Sequence, residues 1–385
     1  MQKQVQQYDV VIIGGGLAGL SLAIQLVRKG FRVILFEKEV YPFHKVCGEY
    51  VSKEAWPFLE ALGVPLSEMR LPIIDSLLLT APNGTAFKTK LLLGGFGISR
   101  YTLDYELYKI AKREGVVIKE GSKVEDVVLD NNQYHVHYSD GSSTRSEIEA
   151  RLCLGAYGKR SNLDVKWKRS FINSKERRLN NYIAVKYHVA GIKQPSIIGL
   201  HNFENGYCGV SEIENGKYCL CYLTTAAMLK KAGGQIRELE QNVLSKNPVL
   251  ASVLKQSTHE NDFPVTIAQI SFSRKTWVEN GVLMLGDAAG MITPLCGNGM
   301  SMALHSSKML ALFVEQYLKG VIGFDQLVSL YKEQWLKAFG GRMQMGRGLQ
   351  RFFGKPILSN FFVGLFRLFP LLARPVIRKT HGQPF

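Results

Sequence analysis

Tyr8-Asp9-Val10-Val11-Ile12-Ile13-Gly14-Gly15-Gly16-Leu17-Ala18-Gly19 is the stretch that decides the fold of this chain. An apolar run enters a G-x-G-x-x-G turn, and the turn opens a segment with helical spacing. A second run, Arg32-Val33-Ile34-Leu35-Phe36, ends at Glu37. Strand, turn, helix, strand and acid in that order make a unit that holds a dinucleotide, and each part has a physical job. Gly14 permits the tight turn out of the strand. Gly16 has no side chain, so a pyrophosphate can approach the backbone. Gly19 lets the helix lie close on the sheet. The helix N-terminus, where Leu17 and Ala18 stand, offers unpaired N–H groups and partial positive charge to phosphates. Glu37, followed by Lys38, can accept hydrogen bonds from ribose hydroxyls. A glycine-rich turn of no consequence leaves Glu37 unexplained.

The 385 residues suit two closely joined domains or one large one. Hydrophobic residues make up 46% and charged residues 21%, which allows a sizeable core and excludes global disorder. The start, Gln2 to Gln7, is polar, so no signal peptide is expected. Cys47, Cys153, Cys208, Cys219, Cys221 and Cys296 form no C-x-x-C pair and no zinc spacing. They read as reduced thiols of a cytoplasmic protein, with no metal site; Cys219 and Cys221 share a strand face, in a packing role. The net charge of +16 invites anionic partners. The basic residues are dispersed and no nucleic-acid motif is visible, so nucleic acid is not expected. The stretch from Lys355 to Lys379, KPILSNFFVGLFRLFPLLARPVIRK, is different. Arg367, Pro370, Arg374 and Pro375 interrupt it, which makes it a poor membrane-spanning helix. Broken amphipathic helices are expected there, covering the core or touching a membrane surface peripherally.

Residues 8–37 form a β-α-β unit. Strands are expected at Ile73 to Leu79 and Thr85 to Lys90, around the turn Ala81-Pro82-Asn83-Gly84. Tyr101 to Glu114 is helical by the spacing of Leu103, Leu107, Ile110 and Ala111. Short β runs follow at Val116 to Lys119, Lys123 to Leu129, Tyr134 to Tyr138 and Ile148 to Leu154. Residues 180–224 alternate like an antiparallel sheet. Ile236 to Lys246 and Val249 to Lys255 read as helices, Val282 to Leu285 as a buried strand, and Gly299 to Leu318 as a long helix. Dinucleotide-domain signals thus come early, in the middle and late. The expected architecture is α/β (α+β overall), with one domain interleaved in another. The first would take 1–72, 98–165 and 274–335, the second 73–97 and 166–273, with a C-terminal helical region at 336–385.

Gly286-Asp287-Ala288-Ala289-Gly290, then Pro294, Gly297 and Gly299, is the second strong signal. An aspartate at the end of a strand can accept a hydrogen bond from a ribityl or ribose hydroxyl. Gly297-Asn298-Gly299 opens a long helix whose N-terminus brings N–H groups and positive potential to whatever lies there. GGGLAG with Glu37, Ile98-Ser99-Arg100-Tyr101-Thr102-Leu103-Asp104 and GDAAGMITPLCGNGM resemble the FAD-binding motifs of the superfamily typified by para-hydroxybenzoate hydroxylase. That superfamily includes single-component flavin monooxygenases, flavin-dependent halogenases and geranylgeranyl reductases. The resemblance spans residues 8 to about 305. It implies a Rossmann-like domain with FAD in an extended conformation, its ring lying between that domain and an antiparallel β-sheet substrate domain. It also implies that Gly14, Gly16 and Gly19 hold the pyrophosphate, Glu37 the adenosine ribose, Arg100 a site near the phosphates, and Asp287 the ribityl-pyrophosphate region. Pro294, Gly297 and Gly299 would border the ring. Leu17, Ala18, Lys38, Lys45, Cys47, Val124, Gly155, Gly286, Asn298 and Met300 complete the candidate cofactor contacts. A solvated helix-start arginine is the bland reading of Arg100, and a helix N-cap that of Asp287.

The sequence departs from the superfamily pattern in three places. Leu154-Gly155-Ala156-Tyr157-Gly158 puts Tyr157 where an aspartate usually stands, which weighs against direct use of NAD(P)H, the candidate electron donor. The halogenase W-x-W-x-I-P motif is absent, and residues 71–80 contain no lysine, so halogenation is not expected. His44-Lys45-Val46-Cys47-Gly48-Glu49 resembles the C-G-E/D segment of the geranylgeranyl reductase branch. That branch's Y-x-W-x-F-P motif is half kept in Gly206-Tyr207-Cys208-Gly209-Val210-Ser211, with Gly209 for tryptophan and Ser211 for phenylalanine. Cys47, Gly48, Glu49 and Tyr207 are therefore the catalytic candidates. Cys47 is a proton donor or ring-tuning thiol on one reading and a small packing residue on the other. His44 and Lys45 read equally as a solvated charge run, and Tyr207 as a cavity wall or a core residue. Three functions follow: oxygenation of a lipophilic aromatic or polyketide-like compound, favoured as the commonest chemistry of the superfamily; reduction of carbon–carbon double bonds in a polyprenyl lipid; or electron carriage without small-molecule turnover.

Overall fold

The computed structural model describes residues 6–141, 145–172, 181–260, 263–293, 297–352, 354–380 and 382–385. The chain begins with β1 (Gln7–Ile13), α1 (Leu17–Arg28), β2 (Val33–Phe36), β3 (Tyr50–Ser52) and α2 (Trp56–Leu62). Then come β4 (Ile73–Thr80), β5 (Ala86–Gly97), α3 (Arg100–Arg113), β6 (Val117–Lys119), β7 (Lys123–Asp130), β8 (Gln133–Ser139), β9 (Arg145–Gly155) and α4 (Asn162–Lys166). The middle holds β10 (Tyr182–Ala190), β11 (Ile197–Phe203), β12 (Gly206–Glu212), β13 (Tyr218–Thr225), α5 (Ala226–Lys231), α6 (Ile236–Asn242) and α7 (Pro248–Gln256). Next are β14 (Thr258–His259), β15 (Val265–Ile270), β16 (Val278–Glu279) and β17 (Val282–Met284). Helices α8 (Gly299–Leu318), α9 (Phe324–Phe352), α10 (Pro356–Leu368) and α11 (Ala373–Thr380) finish it.

The strands form two sheets. The first runs β16-β17-β9-β1-β2-β6, with β8 on β9 and β7 on β8. Parallel β1 lies between β2 and β9, with Val10 opposite Val33 and Ile12 opposite Leu154. Both of its faces are covered, which is why Val10 to Ile13 is continuously apolar. Leu20, Leu22 and Ile24 of α1, Leu103 and Leu107 of α3 and Leu304 and Leu310 of α8 share one core against it. A Cβ on Gly19 would collide with the Gly14 carbonyl oxygen, so only glycine lets α1 start this close to β1.

The second sheet runs β14-β10-β13-β12-β11-β4-β5-β3, with β15 on β10. It is antiparallel except where β4 meets β11, Leu78 opposite Gly199. Tyr218, Leu220 and Tyr222 of β13 face Leu239, Leu244 and Leu250 of the α6–α7 region. The alternate residues of β13, Cys221 and Leu223, pack with Val46, Tyr207 and Met291 on the side of the first sheet. The helix expected over 236–246 is two pieces: Val243 (φ −123°, ψ −56°) breaks it, and a 3-10 turn, Leu244–Lys246, follows. The break lets Leu239, Val243 and Leu244 all reach the sheet. β3 pairs with β5, Val51 opposite Phe96, so the segment just before it is carried from the first sheet to the second. That crossing carries the Cys47-Gly48-Glu49 turn.

At the C-terminus, Leu327, Tyr331, Trp335 and Phe339 of α9 enter the main core. Val363 of α10 and Ala373 of α11 pack with Leu79, Ala81 and Phe87 of the second sheet region. The basic, apolar stretch is thus broken helices, and one of its faces covers the core.

Candidate functional site

The glycine turn is built by its neighbours. Gly14 has φ +109°, and a Cβ there would lie 2.6 Å from the Ala156 oxygen and the Tyr157 Cα. The Gly15 N–H donates to Glu37 Oε2 at 3.0 Å, and Glu39 N–H donates to Glu37 Oε1 at 3.2 Å. Glu37 therefore fixes the turn as well as lining the cleft beyond it. The Tyr41 hydroxyl donates to the Gly15 carbonyl from where a Gly15 side chain would stand. Its ring stacks on Tyr108 at 4.5 Å. Gly16 differs from both: a Cβ there would meet only Arg100 Nη2 at 3.5 Å and Lys45 Nζ at 3.8 Å. The space above its backbone is bordered by two cations, the chemistry of a phosphate site.

Those cations are held. Arg100 Nε and Nη2 donate to Asp104 Oδ1 and Oδ2 at 2.7 and 2.8 Å, and Lys45 Nζ lies 3.0 Å from Asp104 Oδ2. Burial alone would raise the Asp104 carboxyl, but Arg100 and Lys45 outweigh it and hold it below the usual carboxylate range. Asp104 follows Arg100 by four residues on α3, so both sit on one helix face. Ser99 caps that helix, accepting from Thr102 N–H at 3.1 Å. Arg100 is neither solvated nor idle.

A cleft of about 800 Å³ runs from Glu37, Lys38 and Val124 past Gly14, Gly16 and Arg100 to Asp287. A deeper cavity of about 200 Å³ continues from Gly16, Arg100 and Asp287 to Cys47, Tyr207 and Met300, with Leu17, Ala18, Gly286, Gly297 and Gly299 in its wall. The cavity lies between the two sheets, at the N-terminus of α8. Gly297 has φ +62°, and a Cβ there would press on the Tyr50 ring at 3.0 Å. Asn298 is buried one step behind the wall, and its carbonyl accepts from Met302 N–H at 2.9 Å. Gly155 is also set back. It lies within the sheet, where a Cβ would strike the Met284 sulfur at 2.5 Å, so its role is close strand packing and not a contact in the cleft. Pro294 lies outside the described residues.

Lys275, which stands in no motif, ties two loops of this cleft together. Its Nζ donates to the carbonyls of Lys159 and Asp287, each at 2.8 Å, and stands 4.5 Å from the Phe171 ring centre. Burial pushes its pKa down to about 8. An unfolded lysine keeps its proton to a pKa of 10.5, so the unfolded state binds more protons between those values and stability rises with pH across that window. Wild-type protein should therefore gain about 3 kcal/mol relative to Lys275→Met between about pH 8 and 10.5, read from urea midpoints. A difference that does not change with pH would show that Lys275 titrates normally.

The Cys47-Gly48-Glu49 turn is held from below. Glu49 has φ +55°, an uncommon conformation for a residue with a Cβ. Its Oε1 accepts from Lys186 Nζ at 2.5 Å and from Arg100 N–H at 2.9 Å, and its Oε2 lies 2.6 Å from His188 Nε2. Burial would raise the Glu49 carboxyl, but the His188 hydrogen bond and the Lys186 charge hold it below its ordinary value. Burial likewise lowers Lys186, and Glu49 more than reverses that. Ser211 Oγ donates to the Gly48 carbonyl at 2.9 Å, and Cys219 Sγ to the Cys47 carbonyl at 3.2 Å. Cys219 is thus a support of the turn as well as a packing residue. Cys47, Gly48, Glu49, Tyr207 and Cys221 all line the cavity. His44 stacks on Tyr101 at 4.7 Å, and Lys45 is in the ion pair above; neither belongs to a solvated run. Tyr157 donates to Asp164 Oδ1 at 3.0 Å and receives Arg169 Nη1 at 3.2 Å.

Two sheets with a glycine turn, a cation-bordered cleft and a shared inner cavity define a dinucleotide-binding α/β protein. The chain belongs to the FAD binding domain family, whose profile matches residues 7–336. It is 25% identical over 90% of its length to conditioned medium factor receptor 1 of Dictyostelium discoideum, covering 70% of that protein. It is 22% identical over 87% of its length to a digeranylgeranylglycerophospholipid reductase of Methanococcus vannielii, covering 84% of it. In fold it is similar to the flavin-dependent brominase Bmp2, with TM-score 0.79 and 20% identity over 97% of this chain and 93% of that one. The residues present fit FAD: the open space over Gly16 faces two cations, and the cleft shares Gly16, Arg100 and Asp287 with the cavity at the α8 N-terminus. Among the described residues no single helix is long and apolar enough to cross a membrane.

Proposed function

We propose that this FAD-dependent oxidoreductase reduces a carbon–carbon double bond in a lipophilic, polyprenyl-type substrate. The observation that carries the reading is the Cys47-Gly48-Glu49 turn, which brings a thiol to the cavity wall in front of the buried Glu49–Lys186 pair. Bound FAD supplies the electrons of such a reduction. Arg100 and Lys45 would hold its pyrophosphate over Gly16, Glu37 and Asp287 its ribose and ribityl hydroxyls, and the α8 N-terminus its ring. The reduced bond also needs a proton at its second carbon. Cys47 Sγ is the proposed donor. Lys186, protonated and paired with the Glu49 carboxylate, stands behind that turn. Val46, Leu223, Ile270 and Met291 give the wall an apolar side, as a prenyl chain requires. The similarity to a digeranylgeranylglycerophospholipid reductase supports this substrate class.

Oxygenation of a lipophilic aromatic or polyketide-like compound is the second reading. Gly209 favours it: it lines the cavity with no side chain where the reductase branch carries a tryptophan, which leaves that much of the wall to a broader ring system. NAD(P)H is the candidate electron donor under both, with Tyr157 at the family's aspartate position weighing against its direct use.

Anaerobic holoprotein reduced with dithionite, then mixed with a digeranylgeranyl lipid, should lose its reduced spectrum and return lipid with two added hydrogens per double bond. Reoxidation by air alone, with one oxygen atom gained by an aromatic substrate, selects oxygenation. Replacing dithionite by NADPH tests the donor. Cys47→Ala should keep its flavin and slow the anaerobic step by about 10²- to 10⁴-fold, the worth of a positioned proton donor. Unchanged turnover would reduce Cys47 to a packing residue.

A further inference from the structure

Helix α10 is apolar on both sides, yet only one side is covered. Val363 and Phe366 turn onto Phe87, while Ile357, Phe361 and Leu368 face outward, four and seven residues apart and so on one stripe. Ile357 is 83% and Leu368 74% exposed. The stripe runs into Phe369, Leu371 and Leu372, also exposed, where the chain bends by 114° into α11. An apolar patch of this extent needs an occupant. The charge around it says which. After Glu333 the sequence has nine Lys and Arg residues and no Asp or Glu. Lys355, Arg367, Arg374 and Arg378 are exposed beside the patch. A second copy of the chain would bring like charge against like charge, whereas an anionic lipid headgroup layer neutralises it.

We propose that the α10–α11 bend is a docking surface for an anionic lipid bilayer, with its apolar stripe in the interface and its basic residues at the headgroups. The cavity lies close to this surface. Leu200 and Ile198, which line it, also pack toward Val363 and Ile377 of the two helices. The docking proposal does not depend on which reaction the cavity performs.

The test is flotation of the FAD-loaded protein with vesicles of phosphatidylglycerol or phosphatidylcholine. Binding is expected to phosphatidylglycerol, weakened by high salt. Arg367→Gln/Arg374→Gln/Arg378→Gln should weaken it about a hundredfold at low salt. Phe361→Ser/Phe369→Ser/Leu371→Ser changes only exposed side chains. It should abolish flotation while flavin content and melting temperature stay at wild-type values. Equal flotation of wild type and the apolar variant would overturn the proposal. So would failure of wild type to float with phosphatidylglycerol, or a dimer by light scattering that the apolar variant dissociates.

Discussion

Gly16→Val is expected to purify folded and colourless. The reason lies in what surrounds each glycine of the turn. A Cβ on Gly14 would lie 2.6 Å from the Ala156 backbone, at φ +109°, and one on Gly19 would collide with the Gly14 carbonyl. Substitution at either position distorts the sheet–helix junction itself. At Gly16 the protein leaves room, with nothing nearer than Arg100 Nη2 at 3.5 Å and Lys45 Nζ at 3.8 Å. The methyls of valine would stand where a pyrophosphate meets those two cations. Losing even two charge-assisted hydrogen bonds weakens binding by at least about a hundredfold. The apoprotein should melt like the wild-type apoprotein, and titration with FAD should show the lost affinity. Gly14→Ala should instead lower apoprotein stability. Yellow Gly16→Val protein with normal flavin content would mean that the pyrophosphate lies elsewhere.

The contrast between these glycines marks what was legible in the sequence. Local order was: an apolar run, three glycines at fixed spacing and an acid after the next strand specify a β-α-β unit, because each property acts within a few residues. The α8 start at Gly299 was legible for the same reason. The partners of the acid were not. Glu37 engages Gly15 N–H, twenty-two residues away, while the Tyr41 hydroxyl reaches the Gly15 carbonyl across a loop. Asp104 could have been found, since an i, i+4 Arg–Asp pair on a helix face is a sequence pattern. Lys186 and His188 alternate on one strand, which signals a shared face, but no local rule says that the face is buried or that Glu49 waits opposite. Gly155 shows the converse: a glycine in the right motif can serve strand packing. Distant charge pairing depends on the sheet order, and sheet order is set by the whole core.

Glu49→Gln is expected to destabilise the protein by about 3–5 kcal/mol, the cost of leaving a buried ion without its partner. Glutamine keeps the shape and an oxygen that can accept from Arg100 N–H, so the substitution tests charge. Lys186, itself buried, would face a neutral amide. The pH dependence follows from both shifts. The Glu49 carboxyl is held below its ordinary 4.5, so its contribution is complete above that pH and fades as pH falls through the folded value. Lys186 is held above its ordinary 10.5, so its contribution is complete below that pH and fades as pH rises through the folded value. The gap between wild type and variant should be widest and flat between about pH 5 and 10, and narrow on both sides. Denaturant midpoints across that range measure it. Glu49→Leu/Lys186→Met should be less destabilised than Glu49→Gln, because an apolar pair of similar volume removes the unpaired ion. If the single and double variants fall equally, Glu49 acts through His188 and Arg100 N–H and not through Lys186. Since an apolar pair can replace a buried ion pair at little cost, stability alone does not account for a carboxylate at 0% and an ammonium at 1% exposure. The pair, with His188 and Arg100 N–H, anchors the Glu49 side chain where the backbone stands at φ +55°, two residues from Cys47 on the cavity wall. The double variant should therefore recover stability without recovering turnover.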